Sequence, residues 1–298
     1  MTSARKIAIT GASGMVGYAL GVEAVARGYE VLALARTNRH SLSGVQFHSI
    51  DLTEHRPVTE VLTQFAPDLL IHGAAITNHN ECEENPSLAH ALHVDATAHL
   101  AALMAKQNGR FVHLSTEAVY GNGNHAHGEE DECQPHGIYA TTKLMGEKEA
   151  LLMNPESLVL RVTPVGFSPN GEGRSLVEWL LGSLRGEREV VGFSDVFFTP
   201  IASFQLASLI FDLPGLNLRG TYNWGCADPI SKFDFARRLA QALGFREDAV
   251  KMGRRYHDSS EHHGEMTSGK LAERLDRAPV CSADVIIDLS ERIRNIKQ

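Results

Sequence analysis

A tyrosine and a lysine four residues apart are the first candidates for chemistry in this 298-residue chain. Tyr139 and Lys143 fall in a segment with helical periodicity, where side chains at this spacing share one face. An ammonium beside a phenol stabilises the phenolate and lowers its pKa from about 10, so the tyrosine could exchange a proton with a substrate oxygen. Thr116, at the end of a predicted strand, could offer its hydroxyl to the same oxygen.

A glycine-rich turn near the start of the chain predicts a dinucleotide site. It follows a short apolar strand and opens a helical segment. Its first glycine permits a tight turn, its second a close approach of the backbone to a pyrophosphate, and its third close packing of helix on strand. The helix N-terminus would then face the phosphates. The predicted cofactor contacts of this turn are Gly11, Ser13, Gly14, Met15, Val16 and Gly17.

The end of the second predicted strand favours NADP(H) over NAD(H). Chains that bind NAD carry an Asp or Glu there, which bonds the ribose hydroxyls. This chain has Arg36 instead, with Arg39 close behind. Guanidinium groups suit a 2′-phosphate. Because Arg36 could also stack on adenine or face solvent, NAD(H) stays an alternative.

Strands that alternate with helices must position these residues. Apolar runs predict strands at 6–10, 30–35, 45–50, 69–73, 110–115 and 157–162, and helical spacing predicts helices at 15–27, 58–65, 88–108 and 138–153. This alternation indicates βαβ units and an α/β fold with a Rossmann-type doubly wound parallel sheet. Ligands of such sheets bind at the carboxyl ends of the strands, where the candidate residues lie.

The pattern loosens after residue 162 into a predicted smaller α+β lobe. Helical spacing recurs at 176–185, 204–213 and 231–243, with weaker strand signals at 189–193 and 220–223. We expect residues 1–162 to form an NAD(P)-binding Rossmann domain and residues 163–298 mainly a substrate-binding lobe. Part of about 190–223 should return to the first sheet. The tail after residue 282 carries no clear signal.

Composition excludes several classes of partner. A formal net charge of −8 without a long basic run argues against nucleic acid and anionic membranes. No stretch approaches the ~18 apolar residues of a membrane span, and the first strand begins too early to leave room for a signal peptide. Four scattered cysteines indicate a reduced, cytoplasmic protein. A homodimer is left open.

Fifteen histidines raise the question of a metal site. His125, His127 and His136 fall in one polar loop around the acidic run 129–132. No pair has the spacing of an HExxH or zinc-finger motif, and the chemistry outlined above needs no metal. We therefore expect a solvated loop and no metal site.

Taken in order, these motifs resemble the extended short-chain dehydrogenases/reductases. The resemblance runs from residue 9 to about residue 244. It covers the glycine turn, Asp51-Leu52, Gly73-Ala74-Ala75, and the segments 115–121 and 139–148. It implies that Asp51 and Leu52 hold the adenine, that the Gly73–Ala75 segment lines the pyrophosphate and ribose, and that Lys143 also binds the nicotinamide ribose.

Within that family the chain is most similar to the dTDP-4-dehydrorhamnose reductases. Ser115-Thr116-Glu117 is similar to their Ser-Thr-Asp, and Phe198-Thr199-Pro200 falls where they carry a Pro-Thr pair near the sugar. These matches imply that Thr116, Glu117 and Thr199 contact the substrate.

Two departures from the family pattern bear on the substrate. His93 stands where extended members usually have Asn, and Pro164 stands where those reductases often place a Trp against the sugar. The identity of the sugar therefore stays open. Phe198, Trp179 and Trp224 are either sugar-site aromatics or plain core residues.

The resemblance implies an NAD(P)H-dependent reductase of a 4-keto nucleotide sugar. Hydride would reach C4, Tyr139 would protonate the new alkoxide, and Thr116 would orient it. A nucleotide-sugar 4-epimerase needs tightly held NAD, which Arg36 disfavours. A dehydratase typically needs an Asp-Glu pair where this chain has Glu117-Ala118. A non-catalytic NADP-binding regulatory subunit is the third alternative, against which the intact Thr-Tyr-Lys set argues.

Overall fold

The computed structural model describes residues 5–39, 42–123, 125–168, 175–213, 217–255 and 262–295. Its central sheet has seven parallel strands: β1 (Lys6–Thr10), β2 (Glu30–Ala35), β3 (Val45–Ser49), β4 (Leu69–His72), β5 (Arg110–Thr116), β6 (Leu158–Val162) and β11 (Gly220–Trp224). Their order across the sheet is β11-β6-β5-β4-β1-β2-β3. The order reverses between β1 and β4, and a doubly wound sheet opens a ligand crevice at such a point.

Helices cover both faces of this sheet. They are α1 (Met15–Ala26), α2 (His55–Phe65), α5 (Ala96–Lys106), α6 (Gly137–Met153) and α8 (Ser203–Asp212). On one face α1 packs against α8, and on the other α5 packs against α6. Successive residues of a strand point to opposite faces, so Ile7 and Ile9 join the core under α1 and α8 while Ala8 joins the core under α2 and α5. Burial on both faces explains why these strands read as unbroken apolar runs.

The strands expected in the first half are confirmed, and all but β6 begin at the predicted residue. The single helix expected at 88–108 is wrong in detail. The chain forms α3 (His79–Glu84), α4 (Pro86–His90) and a π-helical turn at Ala91–Asp95 before α5 begins. Helix α6 crosses this turn so closely that a β-carbon on Gly146 would overlap the carbonyl oxygen of His93.

The second half contains a smaller α+β assembly. Its helices are α7 (Leu176–Arg185), α9 (Lys232–Ala242), α10 (Gly269–Leu275) and α11 (Ser282–Asn295). Three small sheets accompany them: β7 (Pro164–Val165) with β10 (Ile201–Ala202), β8 (Val190–Phe193) with β13 (Val250–Gly253), and β9 (Val196–Phe198) between β12 (Ile230–Ser231) and β14 (His262–Gly264). In the described ranges, no helix is both long and apolar enough to cross a membrane.

Helix α11 lies in the tail that carried no sequence signal. Its apolar face, formed by Val285, Ile286, Leu289 and Ile293, packs into the core of the smaller assembly together with α7 and α9. The apolar spacing of this face is visible in the sequence once a helix is assumed.

The predicted α/β fold with a Rossmann-type sheet is confirmed.

Candidate functional site

The glycine turn between β1 and α1 is shaped to hold an anion. Gly11 adopts a φ of +69°, and a β-carbon there would lie 2.8 Å from the backbone of Ala74. A β-carbon on Gly17 would overlap the carbonyl oxygen of Gly11. Among the described residues no side chain caps the start of α1, and its first turn holds no acidic residue. The positive end of the α1 dipole is therefore not offset by an acidic side chain, and it lies beside a turn that requires glycine. Both features suit a bound pyrophosphate.

The loop after β4 lies against this turn. The Gly73 amide donates to the Thr10 carbonyl oxygen at 3.3 Å, and the Ala74 amide faces Thr10 Oγ1 at 3.4 Å. Gly73 and Ala74 are therefore brought together with Gly11. The whole set lies at the point where the strand order reverses.

The two candidate arginines lie at the open end of β2. Arg36 and Arg39 are exposed, and Arg36 lines a cleft of about 310 Å³ together with Asp51. The pKa of Asp51 is lowered by hydrogen bonds from the Thr53 amide and hydroxyl, and further by the charge of Arg36. Leu52, in contrast, packs its side chain into the core. The structure thus places Asp51 beside Arg36 and leaves both accessible.

Thr116, Glu117 and Tyr139 meet at the carboxyl end of β5. Thr116 Oγ1 donates to Glu117 Oε2 at 2.9 Å, and both residues act on the pKa of the Tyr139 phenol. Burial raises the pKa of Tyr139, the Glu117 carboxylate raises it further, and Thr116 opposes both. The expectation of a lowered tyrosine pKa is therefore wrong for this arrangement.

The reason is the direction in which Lys143 points. Its ammonium donates to the Leu114 carbonyl oxygen at 2.7 Å and contacts His113 Nε2 at 3.2 Å. None of these bonds, within the described part of the chain, reaches Tyr139. Burial lowers the pKa of Lys143 to about 8. Tyr139 and Lys143 share a helix face as predicted, but the lysine is turned toward β5.

A buried histidine network under the site was missed by the sequence analysis. The register of β4 and β5 pairs His72 with His113, and their ring centroids are 5.2 Å apart. His72 is held between the hydroxyls of Thr10 at 2.7 Å and Thr97 at 3.0 Å. Burial lowers the pKa of His72 to about 3 and that of His113 well below its usual value. Both imidazoles are therefore neutral hydrogen-bonding groups.

His93 links the cofactor loop to the tyrosine helix. Its Nε2 accepts the Ile76 amide at 2.9 Å, and its Nδ1 lies 2.8 Å from Thr142 Oγ1. Since the Thr142 hydroxyl donates to the Ile138 carbonyl oxygen at 2.7 Å, His93 must donate to Thr142 through a protonated Nδ1. Burial lowers its pKa to about 3, which keeps this neutral tautomer. The histidine thus bridges the two elements.

Comparison with known proteins decides the family. The chain matches the RmlD substrate binding domain family over residues 5–259. It belongs to that family.

Its relatives include named reductases. A probable low-salt glycan biosynthesis reductase of Haloferax volcanii is 28% identical over 240 residues, covering 79% of this chain and 79% of its own. The dTDP-4-dehydrorhamnose reductase of Mycolicibacterium smegmatis is 28% identical over 251 residues, or 83% of this chain and 72% of its own. The structure of Bacillus anthracis dTDP-4-dehydrorhamnose reductase in complex with NADP superposes with a TM-score of 0.83 at 19% identity, covering 98% of this chain and 99% of that chain. The family resemblance read from the sequence is thereby confirmed, and the structural likeness shows a shared fold.

A buried ion pair and its neighbours form the frame of the site in this RmlD-family chain. Glu147 on α6 and Arg161 on β6 make a buried ion pair, with Arg161 Nη2 2.6 Å from Glu147 Oε2. The Ser115 hydroxyl donates to the same carboxylate. The Arg161 guanidinium also lies over the Tyr120 ring, 4.7 Å from its centroid. These groups sit directly behind Thr116 and hold β5, α6 and β6 in register.

Of the residues in the smaller assembly that the sequence suggested as substrate contacts, some are buried in the core and one is exposed. Thr199 is buried, and its Oγ1 accepts the Met266 amide at 3.2 Å. Phe198 and Trp224 are also buried, in two different apolar clusters, whereas Trp179 is 48% exposed. The core interpretation therefore holds for Phe198 and Trp224. The ammonium of Lys232, which the sequence analysis did not single out, lies 3.3 Å from the centroid of the Phe198 ring.

The histidine loop brings three potential metal ligands together. His125 Nε2 lies 3.2 Å and His127 Nδ1 3.8 Å from Asp131 Oδ2, and the three ligand atoms lie within 4.8 Å of one another. His136 is apart from them, at the exposed start of α6. His127 stacks on Tyr120 with centroids 4.7 Å apart. The interpretation of this loop as free of metal stays a prediction.

Proposed function

We propose that this protein is an NADP(H)-dependent reductase of a 4-keto nucleotide sugar, of the dTDP-4-dehydrorhamnose reductase kind. The observation that carries the proposal is that α6 packs on β5 and so brings Tyr139 to the strand end of Thr116, at the sheet edge that also holds the glycine turn. Membership of the RmlD family and the reductase names of two relatives support it.

The residues present fit a dinucleotide. The cradle formed by Gly11, Gly14 and Gly17 would hold the pyrophosphate, because no side chain fits at Gly11 or Gly17 and α1 offers its open N-terminus. The Gly73–Ala75 loop and Asp51-Leu52 would line the ribose and adenine. The exposed Arg36 and Arg39 favour NADP(H), with NAD(H) as the weaker alternative. NADPH, when bound, supplies the hydride.

The remaining chemistry belongs to the side chains. Tyr139 gives its proton to the C4 oxygen, and its raised pKa keeps the phenol protonated until that oxygen becomes basic. Thr116 orients the same oxygen through its hydroxyl. Lys143, which contacts His113 in this structure, would hold the nicotinamide ribose, and its charge would stabilise the phenolate that proton transfer creates.

Substrate contacts come from both halves of the chain. Thr116 and Glu117 would contact the sugar from the sheet edge, and Thr199 from the smaller assembly. Residues 1–162 then serve mainly the cofactor and residues 163–298 mainly the substrate, with part of about 190–223 returning to the sheet. All four cysteines are free, which is the state expected in the cytoplasm. The partner we propose is the nucleotide sugar, without nucleic acid or membrane.

The test is turnover of NADPH with a panel of 4-keto sugar nucleotides. We expect NADPH oxidation with at least one of them, and deuterium transfer from labelled NADPH to C4 of the product. A 4-epimerase would interconvert sugars without net NADPH loss, and a regulatory subunit would bind NADPH without oxidising it. Either of those results would overturn the proposal.

A further inference from the structure

Lys232 occupies a position that disfavours a cation. It is the first residue of α9, and the Ser231 cap accepts the Asp234 amide at 3.0 Å. The first turn of a helix carries the positive end of the dipole, where carboxylates stabilise and ammonium groups destabilise. The side chain is half-buried, and loss of water also disfavours its charge. A lysine kept under both penalties needs a compensating partner.

The described contacts compensate the charge only in part. The ammonium lies 3.3 Å from the centroid of the Phe198 ring and is attracted by its π electrons. Among the described residues, no ion pair joins this ammonium to a carboxylate. The Glu117 carboxylate acts on it only through space, raising a pKa that burial lowers to about 8.

The fold aims this cation at the catalytic edge. Antiparallel pairing of β12 with β9 sets Ile230 opposite Phe198, so Lys232 follows directly beside the ring. Glu117 belongs to the other half of the chain and bonds Thr116 at 2.9 Å. The helical turn Glu117–Tyr120 contacts β14, and Gly264 of β14 pairs with Phe198, so the ring and the ammonium over it lie where the smaller assembly meets the end of β5. The charge of Glu117 acts on Lys232 across this contact.

We propose that Lys232 binds a phosphate oxygen of the substrate's diphosphate while Thr116 and Tyr139 hold the C4 oxygen. This inference rests on the proposed function and names the substrate group that the smaller assembly recognises. A neutral sugar hydroxyl would not offset the desolvation of an ammonium, whereas a charge-assisted bond to a phosphate does.

The experiment compares Lys232→Met and Lys232→Arg with wild type. Methionine keeps an apolar stem over Phe198, and Lys251→Met, an exposed lysine of the same half, is the matched control. We expect Lys232→Met to raise the KM of the 4-keto sugar nucleotide and the Kd of dTDP or UDP by roughly 10- to 100-fold, the range for one lost charged hydrogen bond. Arginine should restore part of the affinity, and NADPH affinity should not change.

Two further measurements separate this role from simple packing. Binding of dTDP or UDP by wild type should weaken as the pH rises through about 8, since the ammonium then loses its charge, and Lys232→Met should be insensitive there. A 4-keto sugar without a diphosphate should react equally with both proteins. Unchanged KM and Kd in Lys232→Met, with normal wild-type turnover, would overturn this inference and leave the reductase proposal intact. If dTDP or UDP binds in a way that depends on Lys232 but no 4-keto sugar is turned over, the inference about Lys232 stands and the reductase proposal is overturned.

Discussion

Glu147 and Arg161 form an ion pair whose side chains are only 3% and 6% exposed, directly behind the strand end that carries Thr116. The carboxylate accepts two bonds from Arg161 Nε, at 3.0 and 3.2 Å, in addition to the bond from Nη2. Because Tyr139 lies on the same helix as Glu147, this pair fixes the helix that carries the phenol relative to β6, and the bond from Ser115 to Glu147 fixes it relative to β5, the strand that carries the threonine.

Breaking this pair should destabilise the fold. Glu147→Gln leaves the Arg161 charge buried without its counter-ion, and such losses cost about 3–5 kcal/mol. Urea denaturation followed by circular dichroism measures the free energy of unfolding. The exposed pair Arg219–Glu156 is the matched control, and Glu156→Gln should change stability by less than about 1 kcal/mol. Equal effects of the two substitutions would show that the buried pair has no special role.

Replacing the phenol should separate chemistry from cofactor binding. We expect Tyr139→Phe to bind NADPH normally and to lose roughly 10²–10⁴-fold in turnover, as for other lost general acids. Tyr29→Phe, at a tyrosine that stacks on Phe211 far along the sheet, controls for the loss of a hydroxyl elsewhere. Near-normal turnover of Tyr139→Phe would refute the proton-donor role.

Cofactor choice should depend on Arg36. A hydrogen bond to a charged group contributes about 1.5–3 kcal/mol, so we expect NADPH to bind at least ~10-fold tighter than NADH. Arg36→Ala should remove most of that margin, and the double substitution with Arg39→Ala the rest. Fluorescence titration of both nucleotides gives the affinities, with Arg56→Ala, 90% exposed on α2, as the control. Equal affinities of wild type for both nucleotides would mean that Arg36 does not meet the 2′-phosphate.

Stability should fall in mild acid because of the buried histidines. Folding lowers the pKa of His72 and His93 to about 3, and it lowers the pKa of His113 well below its usual value. In the unfolded chain these histidines take up protons near pH 6.5. Between about pH 6.5 and 5 the unfolded state therefore binds more protons, and each histidine lowers the free energy of unfolding by up to about 1.4 kcal/mol per pH unit.

Replacing one member of the network tests this. His72→Gln should reduce the steepness of the pH dependence by the share of one histidine, whatever it does to stability at neutral pH. His48→Gln, at an exposed position, should leave the slope as in wild type. The measurement is urea denaturation at a series of pH values. A flat stability profile between pH 6.5 and 5 in wild type would contradict neutral burial of these rings.

Local pattern was enough to predict the sheet and the glycine turn. The strands are buried on both faces, so their apolar runs stand out, and the positive φ of Gly11 and the close packing at Gly17 belong to turn geometry that neighbouring residues set. The same holds for the shared helix face of Tyr139 and Lys143.

Contacts between distant segments could not be predicted in this way. The direction of Lys143 depends on His113 and Leu114, which β5 brings from elsewhere in the chain. The π-helical turn lies where α6 packs at Gly146. The apolar residues of the turn are spaced as in an ordinary helix, so the sequence does not reveal it. Lys232 was overlooked because only the pairing of β12 with β9 shows that it faces an aromatic ring and the catalytic edge.

The pairing of β11 with β6 has a consequence for synthesis of the chain. Until residues 203–212 have left the ribosome, α8 cannot cover the apolar face of α1. Until residues 220–224 have also left it, β11 cannot pair with β6, and one edge of β6 stays bare. Unpaired edges and exposed apolar faces are where nascent chains associate wrongly. The cofactor-binding half therefore cannot finish folding on its own during translation, and a fragment that stops at residue 162 should aggregate.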